Sequence, residues 1–77
     1  MSMKDKIFEQ ISKVMEVEVN DISLDSTPDT LANWDSMRHM NLILAFEMEF
    51  SVEIPPEKIV EMLSVQLIID TVSELVA

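Results

Sequence analysis

Residues 36–50 constrain the fold most, because a helix built from them would be apolar on two sides. Successive helical residues are rotated by about 100°, which separates the apolar residues into two sets. The first set, which we call the core stripe, is Leu42, Ile43, Phe46 and Phe50. The second set, which we call the methionine stripe, is Met37, Met40, Leu44 and Met48.

A helix of a small bundle needs one apolar face for its core, so we expect the methionine stripe to meet an oligomer mate, a ligand or a transient partner. The alternative is that the seven methionines simply fill an irregular core.

The rest of the chain shows helical rather than strand periodicity. The spacing of apolar residues predicts a first helix over about 3–16 and a second that opens at 35–36 and runs to about Phe50, before the prolines of "SVEIPPEK". Pro56 suits the first turn of a short third helix, and Ser64 suits the cap of a final one. The pattern therefore predicts an all-α bundle of three main helices and one short helix, in a single domain spanning residues 1–77.

Residues 17–34 form a long connection between the first two helices. Turn-forming residues are concentrated here and the helical period is lost. Structureless loops of this length are uncommon in compact domains and are usually functional. We expect four apolar side chains to pin the loop to the core: Val19, Ile22, Leu24 and Leu31.

The charge balance limits the classes of partner. The chain has 15 acidic and 5 basic side chains and a formal net charge of −10, so nucleic acid and anionic membrane surfaces would repel it. Its apolar runs are too short to span a bilayer, and its first ten residues lack the apolar centre of a signal peptide. Without cysteine and with one histidine, it offers no disulfide scaffold or Cys/His zinc site. We expect a cytoplasmic monomer with no metal.

The acidic loop "DISLDSTPDTLA" raises a calcium-binding alternative, because oxygen-bearing side chains alternate along it. An EF-hand loop needs glycine at its sixth position and a bidentate glutamate at its twelfth. Those positions hold Ser26 and Ala32. The loop is better interpreted as a solvated connection.

The segment "DSM" at Asp35, Ser36 and Met37 opens the second helix, and "EMEFSVEIP" and "SVQLIIDTV" follow it. In these segments and their separations the sequence resembles the acyl carrier proteins along its whole length, and "DSM" is similar to the family's Asp-Ser-Leu-type attachment motif. The resemblance implies a four-helix bundle of acyl-carrier type. It also implies that Ser36 accepts a 4′-phosphopantetheine arm from coenzyme A, whose thiol then carries an acyl or related group as a thioester.

The position of Ser36 suits that modification on physical grounds. A phosphodiester there would lie at a helix N-terminus, where unpaired N–H groups and the helix dipole favour negative charge. With Asp35 available as the cap, the Ser36 hydroxyl can stay exposed. On position alone, Ser36 could instead be only a helix-start residue.

The resemblance further implies that partner enzymes bind the second helix. We expect the partner-binding residues to be Asp35, Met37, Met40, Asn41, Leu44, Glu47 and Met48. The implied partners are a phosphopantetheinyl transferase, an acyl- or aminoacyl-loading ligase, and a downstream synthase or transferase. Fatty-acid-synthase carriers typically place acidic residues where this chain has Arg38, Asn41 and Met48. That departure indicates a carrier for a specialised lipid, polyketide or related pathway rather than ordinary fatty acid synthesis.

Further residues near the motif have mainly structural interpretations. We expect Trp34 to anchor the loop, its indole N–H bonded to backbone, or to contact a partner directly. His39 is expected to be a partly buried packing residue, because the chain offers no nucleophile–base pair for catalysis and no enzyme activity is predicted. The family often has glycine near positions 33 and 51, so Ser51 predicts a turn after the second helix that is slightly strained or differently shaped. The rival of a different class is a small acidic adaptor that binds a partner through the methionine stripe without a prosthetic group.

Overall fold

A computed structural model describes residues 2–31 and 33–76. Its helices are α1 (Met3–Met15), α2 (Ser36–Phe50), the short α3 (Pro56–Ile59) and α4 (Val65–Val76), with a 3₁₀ turn at Val19–Asp21 between α1 and α2. The predicted all-α bundle of three main helices and one short helix is confirmed. Among the described residues, no helix is both long enough and apolar enough to cross a bilayer.

The ends of α1 and α2 are set by side-chain caps and by left-handed residues. The Ser2 hydroxyl accepts a hydrogen bond from the Asp5 N–H at 3.2 Å, and the Asp35 carboxylate accepts one from the Arg38 N–H at 2.8 Å. Both helices end at a left-handed residue, Glu16 with φ 56° and Ser51 with φ 53°. Glycine adopts this conformation without penalty, whereas for other residues it costs about 1–2 kcal/mol of conformational energy. The expected strain after α2 therefore falls on Ser51.

The connection between α1 and α2 is attached to the core and to α4. Ile22 and Leu31 are buried, as expected, but Val19 is 45% and Leu24 is 36% exposed, so the prediction for these two was wrong. Val19 opens the 3₁₀ turn at the surface. Leu24 contributes its carbonyl oxygen instead, which accepts the Gln66 N–H at 3.1 Å near the start of α4. Helix N-termini leave several N–H groups without an intrahelical partner. The loop supplies the acceptor for one of them, the Gln66 N–H.

The two stripes of α2 separate as the helical periodicity predicts. Leu42, Ile43 and Phe46 are at most 2% exposed, and Phe50 packs against the core from its edge. The methionine stripe faces outward, with exposures of 75% for Met37, 47% for Met40, 55% for Leu44 and 83% for Met48. Two other methionines, Met15 and Met62, are fully buried. The interpretation that methionines only fill the core is therefore wrong for α2.

Candidate functional site

Ser36 is the first residue of α2, and its side chain is exposed. The capping role belongs to its neighbour Asp35, whose carboxylate accepts the Arg38 N–H and whose carbonyl oxygen accepts the His39 N–H at 2.9 Å. The Ser36 hydroxyl is thus not needed as a cap. This division of roles between two adjacent residues leaves a primary hydroxyl at the surface on a fixed helix end.

The favourable electrostatic contribution for an anion at Ser36 is the partial positive charge of the α2 N-terminus. Arg38 lies only two residues along the chain, but its guanidinium turns toward α1. There it donates to the Val14 carbonyl oxygen at 2.6 Å and to the Glu16 carboxylate at 3.1 Å. An anionic group on Ser36 would therefore be stabilised by the N–H groups of the first turn and by the helix dipole.

Trp34 anchors the loop directly before the site, although not through the partner we expected. The side chain is 4% exposed, and its indole Nε1–H donates to Nδ1 of His39 at 3.0 Å. The two rings are stacked, with centroids 6.0 Å apart. His39 is half-buried, as predicted, and its Nε2 lies 2.8 Å from the Ile59 carbonyl oxygen. The expected bond from the indole to backbone was wrong, because a ring nitrogen of His39 takes that position.

An open groove of about 310 Å³ borders Ser36. Its lining residues are Pro28, Trp34, Asp35, Ser36, His39 and Leu63. The loop, the start of α2 and the segment after α3 thus border one groove. A group attached to Ser36 would begin at a groove that Trp34 and Leu63 also line.

The residues expected to bind partners divide into two groups. Asp35, Asn41 and the four members of the methionine stripe are exposed. Glu47 is different, because it is half-buried and its carboxylate accepts the Ile54 N–H at 2.8 Å. It lies on the flank of α2 and holds the segment that leads into α3. The sequence alone does not reveal this role, since no local pattern links a helical glutamate to a backbone N–H seven residues later.

The hydroxyl groups of the acidic loop bond to the loop itself. Ser26 accepts the Ser23 N–H at 2.9 Å, and Thr27 accepts the Asp29 N–H at 3.2 Å. In the part of the chain that the structure describes, no three His, Cys, Asp or Glu residues are grouped as metal ligands. Of the oxygen-bearing side chains that suggested calcium, the Thr27 hydroxyl therefore takes part in these turn contacts, and the Ser23 hydroxyl lies 3.4 Å from that of Ser26.

A helical bundle with a serine exposed at the start of α2 is consistent with the class of carrier proteins that hold their cargo on a covalent arm. Comparison with known proteins agrees, because the family described as "phosphopantetheine attachment site" matches residues 5–76. The chain belongs to this family, and its prosthetic group is 4′-phosphopantetheine. It is also similar to the acyl carrier protein of Petrotoga mobilis, with 28% identity over 75 residues, which cover 92% of this chain and 88% of that protein. The role that follows is that of a carrier.

Proposed function

We propose that Ser36 is the residue that carries the 4′-phosphopantetheine arm, in a single carrier domain of residues 1–77. The observation that supports this assignment is the pairing of an exposed Ser36 with a capping Asp35 at the start of α2. The Ser36 oxygen forms the new bond to the pantetheine phosphorus of coenzyme A. The bond from that phosphorus to the nucleotide portion breaks, and the hydroxyl proton is lost to a base of the transferase or to water.

The carrier presents acyl or related intermediates to partner enzymes as thioesters. Tethering raises the effective concentration of the intermediate at each partner without strong docking. We assign the docking surface to the methionine stripe together with Asp35 and Asn41. Methionine is flexible and polarisable, which suits a surface that meets a transferase, a loading ligase and a downstream synthase in turn.

The same surface favours a specialised pathway over ordinary fatty acid synthesis. Asn41 and Met48 are neutral and exposed, and the charge of Arg38 is directed to α1. The docking surface is therefore mainly apolar, although the whole chain carries a net charge of −10. Its partners should present apolar contacts at the centre of the interface, with basic residues around the rim.

Intact-mass measurement tests the attachment site. The protein is incubated with coenzyme A and a broad-specificity phosphopantetheinyl transferase, beside Ser36→Ala and a matched control, Ser73→Ala, in which another exposed serine is removed. We expect one added phosphopantetheine on the parental protein and on Ser73→Ala, and none on Ser36→Ala. Modification of Ser36→Ala would place the arm elsewhere. A parental protein that gains no mass would favour the adaptor without a prosthetic group, which the exposed methionine stripe also suits.

A further inference from the structure

His39 connects two segments that are far apart in the chain. Its Nδ1 lies 3.0 Å from the indole nitrogen of Trp34, and its Nε2 lies 2.8 Å from the carbonyl oxygen of Ile59. An indole N–H can only donate, and a carbonyl oxygen can only accept. The ring therefore accepts at Nδ1 and donates from Nε2, so both nitrogens are used in one neutral tautomer.

One end of this bridge fixes the residue pair at the attachment site. Trp34 directly precedes Asp35, which caps α2 and lies next to Ser36. The indole is buried and stacked on the imidazole, so the chain before the cap is held by both packing and a hydrogen bond. Loss of the bridge would free the cap and allow the first turn of α2 to fray.

The other end of the bridge holds α3. This helix has only four residues, and its last one is Ile59. Helices this short are not stable by themselves, and their terminal carbonyl groups lack intrahelical partners. His39 supplies a donor to the Ile59 carbonyl oxygen at 2.8 Å, and the Met62 N–H reaches the same oxygen at 3.4 Å. Leu63, four residues further along, and Trp34 stand among the lining residues of the groove at Ser36.

We propose that His39 is a positioning residue for the modification of Ser36. By bonding Trp34 and Ile59 at once, it holds the loop and α3 in register with the start of α2. The hydroxyl is then presented to the transferase in one orientation. This proposal rests on the proposed function of Ser36, and it adds a residue that does not touch the arm or the reacting atoms.

The test compares variants that remove or keep the two hydrogen bonds. His39→Leu retains a branched side chain but removes both bonds, whereas His39→Gln offers an acceptor and a donor. Val72→Ala is the matched control for lost stability, because Val72 is fully buried near the end of α4. That end is remote from Ser36. The neighbouring Ser73 contacts Met3 at the start of α1, whereas Arg38, two residues after Ser36, contacts Val14 at the opposite end of α1.

Two readouts separate positioning from general stability. Trp34 is the chain's one tryptophan, so its indole ¹H–¹⁵N resonance reports the bond to His39 directly. Steady-state kinetics of pantetheine transfer give kcat and KM for each variant as acceptor. For His39→Leu we expect a shifted indole resonance and a roughly tenfold lower kcat, as misplacement of a reacting group predicts. KM should be unchanged, because the methionine stripe is untouched.

The outcomes distinguish the bridge from the attachment site. We expect His39→Gln to keep most of the parental kcat, and Val72→Ala to keep it even where its thermal midpoint is lower than that of His39→Leu. If His39→Leu does not fold, Trp34→Phe removes the same donor while keeping an aromatic ring, and the same fall in kcat is expected. A parental kcat after loss of the indole bond, or an equal fall in Val72→Ala, would overturn the positioning role alone. A parental protein that accepts no arm would overturn the assignment of Ser36 and this role with it.

Discussion

The guanidinium Nη1 of Arg38 donates to the carbonyl oxygen of Val14 at 2.6 Å, which fastens the start of α2 to the end of α1. The last carbonyl groups of a helix lack intrahelical partners and carry partial negative charge, so a cation is favourable there. The second guanidinium contact, to the Glu16 carboxylate at 3.1 Å, is more exposed. Arg38, which stands where fatty-acid-synthase carriers typically have an acidic residue, therefore makes its contacts within the protein.

Arg38→Ala should lower the free energy of unfolding by about 1–2 kcal/mol, because the Val14 carbonyl loses a charge-assisted hydrogen bond. Glu16→Gln should lower it by less than about 0.5 kcal/mol, since exposed ion pairs contribute little. Urea unfolding of both variants measures the difference. Equal losses would mean that the stabilisation comes from the ion pair instead.

Phe46→Ala should leave the protein largely unfolded. Phe46 is fully buried, and truncation of such a residue costs about 3–5 kcal/mol. That loss equals the whole stability expected of a domain below about 80 residues, roughly 3–5 kcal/mol. Thermal unfolding followed by circular dichroism measures it. A cooperative transition near the parental midpoint would contradict the assignment of Phe46 to the core.

Met40→Glu, on the other stripe, should change stability by only about 0.5 kcal/mol, as substitutions at exposed positions usually do. Its effect should appear in docking, because it places a charge on the apolar surface. The measurement is the rate at which a cognate partner loads or unloads the variant carrying its arm. A folded variant that is processed at the parental rate would remove Met40 from the docking surface of that partner.

The helices and the two stripes could be predicted because they depend on local periodicity. The core stripe and the methionine stripe differ only in their angle around α2, which the sequence encodes directly. The caps at Asp35 and Ser64 were also predictable, since an N-cap contacts an N–H two or three residues later. The Ser64 hydroxyl accepts the Leu67 N–H at 3.1 Å.

Contacts between distant segments could not be predicted in this way. The bridge through His39 and the bond from Glu47 to Ile54 depend on where α3 and its approach lie against α2. Hydrophobicity alone predicted buried side chains at Val19 and Leu24, and this was wrong. Both residues are held in the fold by turns and backbone hydrogen bonds, and their side chains are exposed. A chain this small has more apolar residues than its interior can hold.

The acidic loop should bind calcium only weakly and in a manner screened by salt. Its hydroxyl groups bond to neighbouring backbone N–H groups, and an EF-hand's glycine and glutamate are replaced by Ser26 and Ala32. Calorimetric titration at low and moderate ionic strength measures this. A stoichiometric site of micromolar affinity that survives added salt would contradict the prediction.

Mild oxidation should modify the methionine stripe before the core. Met37 and Met48 are 75% and 83% exposed, whereas Met15 and Met62 are fully buried and serve as controls within the same molecule. Peroxide reaches an exposed thioether directly, but a buried one only when the structure opens. Peptide mass mapping over a time course with dilute peroxide should therefore show sulfoxide at Met37 and Met48 first.

The oxidised carrier should keep its helical circular dichroism, because the modified side chains are exposed. Since sulfoxide is polar, a partner should load the oxidised carrier more slowly, and methionine sulfoxide reductases should restore the rate. Oxidation of Met62 at the rate of Met48 would contradict the burial of Met62 and the exposure of Met48.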